Sequence, residues 1–482
     1  MTKKYTLNKM ADNGTSKTLP QYVAAISVCL GAVAAGTVLG WTGNISEKLK
    51  QAELNDISID ESSLGWIGSF MSLGAMVMCF PIGILIDIIG RKWGCIMTVF
   101  PFSIGWLLII FSSNPGMIYA GRFLTGLAGG AFCVAAPLYT SEIAQKDIRG
   151  TLGSFFQLLL VIGILITYVA GACMSPTNVS ILCAVIPLIF VAVFFFQPET
   201  PVYLMKKNKT SEAIKSLQRL RGSSYNVDNE IKEIREAIEN DQKANVPFFV
   251  ALRSRASIRA LCICFGLMFF QQMSGVNAVI FYLSDIFKAS GTSLEPSTAS
   301  IIVGVVQVIA TFVSSMVVDK FGRKILLILS AAVMMISGLT LGIFFTLKDR
   351  DILDDSQLEK IGFLPILCLI VFIAMFSIGF GPIPWMISSE LMPEEIKSVA
   401  VSSAATFNWF LSFIVTKFNV DLRSSIGSDS TFYIFAVISC IGTIFVYSVV
   451  PETKGKTLAE VQELLSGTRK DEKQGIDNPT FN

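Results

Sequence analysis

The chain has 482 residues, of which 52% are hydrophobic and only 15% are charged, and its mean hydropathy is +0.62. This composition excludes an ordinary soluble globular protein and places the chain in a lipid bilayer. A net charge of +2 gives no reason to expect nucleic acid as a partner, and the absence of histidine removes the commonest metal ligand and proton relay. The cysteines fall inside apolar stretches, so we expect neither a metal site nor a cofactor.

Apolar runs recur along the whole chain, and each is long enough to cross about 30 Å of hydrocarbon as a helix. Twelve spans put both termini on one side of the membrane. Lysine and arginine are concentrated in the loops on that side, so it is expected to be cytoplasmic. The predicted spans are residues 22–41, 64–86, 93–112, 117–138, 151–172, 179–197, 259–284, 297–318, 325–347, 363–387, 398–418 and 431–450.

Three polar signatures occur twice in the same order, each time attached to six predicted spans. Such a duplication indicates two six-helix halves related by a pseudo-twofold axis, the architecture by which many carriers expose a central site alternately to two sides. The paired signatures are Asp87-Ile-Ile-Gly90-Arg91-Lys92 with Asp319-Lys-Phe-Gly322-Arg323-Lys324, Glu142 and Arg149 with Glu390 and Lys397, and Pro198-Glu199-Thr200 with Pro451-Glu452-Thr453.

The predicted fold is therefore an all-α membrane protein with twelve transmembrane helices in two pseudo-symmetric six-helix bundles. In the charged linker between them, Ile231, Ile234 and Ile238 recur at helical spacing, which predicts short amphipathic helices on the cytoplasmic face. The predicted regions are a cytoplasmic tail (1–20), the N-terminal bundle (21–197), the linker (198–258), the C-terminal bundle (259–450) and a second cytoplasmic tail (451–482).

Polar side chains inside the spans are the candidates for a binding site, because burying them in lipid costs free energy unless they line a cavity or find a partner. Uncharged amides dominate this group. An amide offers donors and an acceptor without charge, which suits the hydroxyl groups of a neutral sugar. The alternative is that each amide only joins neighbouring helices. The amide candidates are Gln157, Gln271, Gln272, Asn277, Gln307 and Asn408.

Two spans carry signals of a local helix break. An unbroken helix would aim Gln272 and Asn277 far apart, but a break at Gly275 would let both point inward. Span 10 has the corresponding signal in its run of glycine and proline, which ends at Trp385. An indole beside such a break can stack on the apolar face of a sugar ring, and the alternative is an interfacial tryptophan.

The duplicated charges lie at the cytoplasmic ends of spans, where opposite charges can pair when the inner mouth is shut and separate when it opens. Each rim pair is worth about 0–1 kcal/mol, so several together can bias a two-state equilibrium. The alternative is that the bases only orient the chain in the membrane. The predicted gate pairs Glu142 and Arg149 with Arg323 and Lys324, pairs Glu390 and Lys397 with Asp87, Arg91 and Lys92, and includes Asp319.

Two short patterns concern modification and sorting. Asn44-Ile-Ser46 in a predicted extracellular loop is the preferred candidate for glycosylation, ahead of Asn178-Val-Ser180. Leu464 and Leu465 fit a dileucine sorting pattern, which makes an endosomal location an alternative to the plasma membrane. Helix packing by the two leucines is the competing explanation.

These signatures resemble those of the sugar porter family of the major facilitator superfamily, and most closely those of the insect facilitated trehalose transporter group. The resemblance covers residues 20–465. It implies sugar contacts at Gln157, Gln271, Gln272, Asn277, Trp385 and Asn408, and an inner gate at Glu142, Arg149, Asp319, Arg323, Lys324 and Glu390. The motifs that carry it are Gln271-Gln-Met-Ser-Gly-Val-Asn277, Phe281-Tyr282, Gly381-Pro-Ile-Pro-Trp385, Gly121-Arg122, Gly40-Trp41-Thr42, Ile302-Val-Gly-Val-Val, the run from Ser377 to Trp385, and the two Pro-Glu-Thr sequences.

The resemblance also marks departures from related carriers. Ser377 and Gln307 stand where mammalian hexose carriers have glutamate and asparagine, and Lys397 stands where an arginine completes the gate. Proton-coupled members carry an aspartate at the position of Val38, close to the arginine that matches Arg122. A valine cannot titrate, and no Asp or Glu lies in the middle of a predicted span.

We therefore predict facilitated diffusion of a neutral sugar, hexose or trehalose, by a plasma-membrane carrier that functions as a monomer. A proton-coupled sugar symporter and a non-transporting sugar sensor are the alternatives. No nucleophile with a base, metal cluster or phosphate-binding glycine loop is evident in the sequence, so an enzyme is not expected.

Overall fold

In the computed structural model the regular secondary structure of the described residues is all helical, with short turns and loops between the helices. Eleven of the helices are long and apolar enough to cross a membrane. The last of these contains Gly427, whose φ of +88° interrupts the helix and divides it into two spans. The predicted count of twelve is thus confirmed. The described residues are 16–145, 147–223, 225–243, 250, 252–290, 295–350, 352–456 and 458–466, so most of the two predicted tails lies outside them.

Helix starts in the N-terminal half follow from capping side chains. Asp60, Asn114 and Ser175 each accept a hydrogen bond from a backbone N–H of the following turn, which satisfies a donor that has no partner within the helix. The six spans, numbered in chain order, are span 1 Leu19–Gly40, span 2 Glu61–Ile89, span 3 Arg91–Ile110, span 4 Pro115–Ile143, span 5 Arg149–Cys173 and span 6 Pro176–Phe194.

The C-terminal half repeats this plan, with breaks inside spans 7 and 10. Its spans are span 7 Arg255–Phe281, span 8 Pro296–Phe321, span 9 Arg323–Asp349, span 10 Leu364–Leu391, and spans 11 and 12 before and after Gly427 within Glu394–Val449. The shorter helices are Ser46–Lys50, Pro201–Lys206, Thr210–Arg221, Asp228–Lys243, Leu283–Ser290, Asp355–Ile361 and Leu458–Ser466.

The linker helices form a small apolar cluster of their own, to which Ile231, Ile234 and Ile238 contribute, as their spacing predicted. Arg221 fastens this cluster to the N-terminal half, since Nη1 donates to the carbonyl of Ile143 at 2.8 Å. We call the side of the bundle that carries these helices the linker face, and the other side the opposite face.

The last short helix packs on the linker face of the C-terminal half. Leu465 is buried within it, Leu464 remains half exposed, and Arg259 at the base of span 7 donates to the carbonyl of Leu465 at 2.8 Å. One leucine of the predicted sorting pattern is therefore used in packing.

The two halves meet where span 2 packs on span 11 and span 5 packs on span 8. Within each half, glycines allow helices to approach closely. A Cβ on Gly126 of span 4, for example, would lie 2.0 Å from the carbonyl oxygen of Met71 in span 2.

Candidate functional site

Span 7 breaks at the predicted position. Its first helix ends at Met273, and the second begins after Gly275, which has a φ of +83°. Such a value favours glycine, and a Cβ there would also lie 2.4 Å from the ring of Phe435. The break brings two predicted amides together, because Asn277 Nδ2 donates to Gln272 Oε1 at 2.7 Å.

Span 10 is also broken, between Ile378 and Ile383. Gln271 uses the carbonyls freed there, since its Nε2 donates to Phe380 O at 2.5 Å and to Gly381 O at 3.0 Å. The two broken spans are thereby joined through one predicted site residue.

Four of the predicted amides form a continuous hydrogen-bonded series, which we call the amide chain: Gln271, Asn408, Gln272 and Asn277. Asn408 Nδ2 donates to Gln271 Oε1 at 2.6 Å, and Gln272 Nε2 donates to Asn408 Oδ1 at 2.8 Å. All four are buried. Because they share hydrogen bonds across spans 7 and 11, they also serve as the interhelical contacts that were the alternative interpretation.

The amide chain continues through two serines that the sequence analysis did not single out. Asn277 Nδ2 donates to Ser412 Oγ at 2.7 Å, and Ser412 Oγ shares a hydrogen bond of 2.9 Å with Ser72 Oγ. Ser72 belongs to span 2, so the series crosses from one half to the other. Serine in an apolar span ordinarily bonds its own helix, and the sequence therefore contains no signal for this contact.

Three further predicted residues stand apart from the amide chain. Gln157 in span 5 and Trp385 in span 10 are half-buried, and Gln307 in span 8 is buried. Within the described part of the protein, the structure assigns no hydrogen-bond partner to any of these three side chains. They remain available to a ligand, whereas the amide chain is occupied by its own members.

The first copy of the charged signatures forms a polar cluster on the linker face of the N-terminal half. Arg91 Nε donates to both carboxylate oxygens of Glu142, at 3.0 and 3.1 Å, and Arg91 Nη1 donates to Asp87 at 2.8 Å. Thr200 Oγ1 also donates to Glu142, at 2.5 Å.

The second copy forms the matching cluster in the C-terminal half. Arg323 lies 3.1 Å from Glu390 and 3.0 Å from Asp319, and Thr453 Oγ1 donates to Glu390 at 2.5 Å. The structure thus repeats each contact of the first cluster with the corresponding residue of the second.

In this conformation each carboxylate pairs with the arginine of its own half, and the pairing across the halves, expected when the inner mouth is shut, stays a prediction. The reason for the pairing within each half is local geometry. Arg91 follows Asp87 by one turn and faces Glu142 on the adjacent span 4, so the nearest opposite charges lie in the same half.

The glutamates of the two Pro-Glu-Thr sequences cap neighbouring spans, a role that the sequence analysis did not assign. Glu199 accepts from Lys92 N at the start of span 3, and Glu452 accepts from Arg323 N and Lys324 N at the start of span 9. An anion at a helix N-terminus is electrostatically favourable. Burial raises the pKa of Glu199, whereas in Glu452 the backbone donors outweigh burial and lower the pKa.

The linker-face end of span 5 is exposed. Arg149 is exposed, and a Cβ added to Gly150 or Gly153 would meet nothing within 4 Å. Lys397 borders a polar cavity of about 350 Å³ with Arg323, and the ammonium of Lys324 lies over the ring of Tyr447 at 5.7 Å.

The opposite face is closed by contacts between the halves. Tyr168 OH donates to Ile280 O at 2.9 Å, and the backbone N–H of Ser284 donates to Gly43 O at 3.3 Å. An ion pair of 3.4 Å joins Lys50 to Asp285. A second pair joins Glu47 and Lys288, and Tyr282 OH lies 3.5 Å from Leu64 O of span 2.

Asn44 lies within this closed seam. Its side chain is buried, and Nδ2 donates to Tyr168 O at 2.7 Å and to Ser297 O at 3.3 Å. In this conformation the acceptor nitrogen of Asn44 is occupied by one hydrogen bond within its own half and one to the other half, which does not favour a glycan there, and glycosylation stays a prediction.

Arg122 is completely buried in span 4. Its Nε donates to Ile67 O at 3.1 Å, its Nη1 donates to Val38 O at 2.7 Å, and its guanidinium lies 5.3 Å from the centroid of the Trp41 ring. Main-chain carbonyls thus take the place of a carboxylate partner.

The sequence matches a known family of proteins along most of its length. The family described as sugar (and other) transporter matches residues 15–465. The facilitated trehalose transporter Tret1 of Anopheles gambiae is 38% identical over 93% of this chain, which spans only 56% of that protein's length. The Tret1 protein of Bombyx mori is 38% identical over 93% of this chain and 88% of its own.

Solved structures of a bacterial protein share the fold. A partially occluded inward-open conformation of the xylose transporter XylE from E. coli has a TM-score of 0.76 at 22% identity, covering 91% of this chain and 99% of that one. A structure of XylE, a proton:xylose symporter of the major facilitator superfamily, bound to 6-bromo-6-deoxy-D-glucose has a TM-score of 0.74 at 23% identity, with 92% and 99% coverage.

Proposed function

The chain belongs to the sugar transporter family, and on this premise we propose that it is a facilitative carrier that moves a neutral sugar across a membrane by alternating access. The observation that carries the proposal is the amide chain at the breaks of spans 7 and 10. Its uncharged donors and acceptors belong to the C-terminal half, reach the N-terminal half through Ser412 and Ser72, and suit hydroxyl groups. The relatives of this protein are named as transporters, and the proposal includes no enzymatic step.

The distribution of lysine and arginine supports a cytoplasmic linker face and cytoplasmic termini. The structure is then an inward-facing conformation, open at span 5 and closed at the extracellular mouth. We assign the protein to the plasma membrane and to a functional monomer, since each sugar-contacting candidate is supplied by one chain.

The charged clusters are proposed as the inner gate. In the inward-facing state, Asp87, Arg91 and Glu142 pair within one half, and Asp319, Arg323 and Glu390 within the other. When the inner mouth closes, the exposed Arg149 approaches the C-terminal cluster, and Lys324 and Lys397 approach the N-terminal half. These transient pairs are modest in strength, which keeps the equilibrium reversible.

Uniport is supported by Arg122 and Val38. A proton symporter needs a group in the transport path whose protonation changes during the cycle. Here the buried guanidinium of Arg122 donates to main-chain carbonyls, which do not gain or lose protons at physiological pH. The proton symport stated for XylE therefore does not extend to this chain.

Hexose and trehalose are both proposed as substrates, and trehalose has the support of the insect relatives' names. The test is uptake of labelled glucose and trehalose into cells that lack their own sugar carriers, with each sugar as competitor. We expect saturable uptake that equilibrates without accumulation and is unchanged when the pH gradient is collapsed. Accumulation that disappears with the gradient would contradict uniport, and uptake of neither sugar would contradict the proposed substrates.

A further inference from the structure

The members of the amide chain satisfy most of their hydrogen bonds with one another and with neighbouring groups. Gln271, Asn408 and Gln272 each use both ends of their amide in hydrogen bonds to neighbours, and Asn277 uses its nitrogen twice. Among the amide groups of the amide chain, Asn277 Oδ1 is the one without a hydrogen-bond partner in the described part of the protein. A sugar that binds these amides must therefore replace existing hydrogen bonds rather than fill vacant positions.

Ser412 and Ser72 connect this self-satisfied chain to the other half. Both side chains are fully buried, and they are 2.9 Å apart. The Ser412 hydroxyl accepts from Asn277 at 2.7 Å and also shares the hydrogen bond with Ser72, in which either hydroxyl can be the donor. Asn277 therefore contacts the same hydroxyl that meets span 2.

Ser72 lies at the inner end of the seam that closes the extracellular mouth. Further out on span 2, a Cβ on Gly68, about one helical turn from Ser72, would lie 2.8 Å from Tyr282 OH, and one on Gly65, about two turns away, would lie 3.2 Å from Lys417 O. Opening of the extracellular mouth separates these parts of spans 2 and 11. The Ser72–Ser412 hydrogen bond must break when they part.

We propose that the Ser72–Ser412 hydrogen bond, held in place by Asn277, retains the empty carrier in its inward-facing state and is released by sugar. The inference rests on the proposed transport function. A sugar hydroxyl that bonds to Asn277 draws the amide away from Ser412 and frees the serine pair. In the empty carrier no sugar hydroxyl replaces the hydrogen bond that must break. The return of the empty carrier to the outward-facing state is therefore the slower half of the cycle. Ser72 and Ser412 are positioning residues that need no contact with the sugar.

The test compares two transport modes of the full-length protein in proteoliposomes. In zero-trans influx, sugar is present only outside the vesicles, so the carrier must return empty after each delivery. In equilibrium exchange, sugar is present at the same concentration on both sides, so the carrier returns with sugar bound. The wild type should show a higher maximal rate in exchange than in zero-trans influx. Ser72→Ala should raise the zero-trans maximal rate by about two- to tenfold, the effect of one buried hydrogen bond, and leave exchange within twofold.

Ser69→Ala is the matched control, because Ser69 is buried one turn away and donates only to Trp66 O in its own helix. It should alter neither rate, and Ser72→Thr, which keeps the hydroxyl, should retain the wild-type ratio. Ser412→Ala removes this contact together with the hydrogen bond from Asn277, so it should also raise the zero-trans rate, and adding Ser72→Ala to it should give no further increase.

A wild-type ratio of one, a parallel change of both rates in Ser72→Ala, or additive effects in the double variant would overturn the inference. Absence of sugar transport by the correctly inserted wild type would instead refute the proposed function. The quantity of folded protein, measured by fluorescence-detected size exclusion, normalises every rate and separates these outcomes from misfolding.

Discussion

Arg122 Nη1 donates a hydrogen bond of 2.7 Å to the main-chain oxygen of Val38, in the interior of the N-terminal half. A buried guanidinium needs acceptors for its protons, and here Val38 and Ile67 supply two of them from the backbone, while Nη2 has no partner among the described residues. The side chain of Val38 itself cannot titrate, so no carboxylate lies beside Arg122 at this position.

Val38→Asp would place a carboxylate beside Arg122 and introduce such a group. We expect uptake by this variant to change about twofold or more when the pH gradient is collapsed, whereas the wild-type rate stays constant. Val38→Asn, which adds polarity without a charge, is the control. Initial rates of labelled-sugar uptake with and without a protonophore provide the measurement, and a pH-insensitive Val38→Asp would show that the site cannot couple.

Gln157 and Asn408 should respond differently to alanine substitution. Gln157 has no hydrogen-bond partner in the described chain, so Gln157→Ala should raise the KM for sugar about three- to tenfold without changing the melting temperature. Gln307→Ala should behave in the same way.

Asn408→Ala removes the partner of both Gln271 and Gln272 and leaves buried amide groups unsatisfied. It should cost about 1–3 kcal/mol of stability in addition to lost transport. Thermal unfolding of purified protein measures this difference, and equal melting temperatures for the two variants would contradict the division into free and self-bonded amides.

Gly275→Ala should abolish transport, because alanine rarely adopts the φ of +83° and its Cβ would lie 2.4 Å from the Phe435 ring. The strained backbone alone costs about 1–3 kcal/mol. Gly150→Ala, within the helix of span 5 and facing open space, should retain the wild-type rate and a melting temperature at or above the wild-type value. Uptake assays at matched surface expression test the pair.

The two charged clusters should differ in how much they stabilise the fold. Arg91 and Glu142 are 3% and 9% exposed, whereas Arg323 and Glu390 are 12% and 29% exposed. Removing one partner from the more buried pair leaves a less hydrated charge, so Glu142→Gln should cost about 2–4 kcal/mol and Glu390→Gln about 1 kcal/mol.

Chemical or thermal unfolding of the purified variants gives this comparison, with Asp87→Asn as the exposed control. The reverse order of stabilities would mean that burial does not govern the contribution of these pairs.

Much of the architecture could be predicted from residues that act locally. Twelve spans follow from runs of apolar side chains, and the break in span 7 follows from Gly275 between two polar residues, because hydrocarbon length and backbone conformation depend on neighbours in sequence. The repeated signatures likewise predicted two equivalent halves, which the duplicated Arg91 and Arg323 clusters display.

The choice of partners depended on how the packed helices are rotated against one another. The contacts of Ser72 with Ser412, of Asn44 with Ser297 and of Arg122 with Val38 join residues that are 340, 253 and 84 positions apart. No local pattern encodes such distances. Composition was therefore sufficient to place uncharged amides inside the bilayer, whereas the packing of spans 2, 7, 10 and 11 selected which of them bond to each other and which remain free.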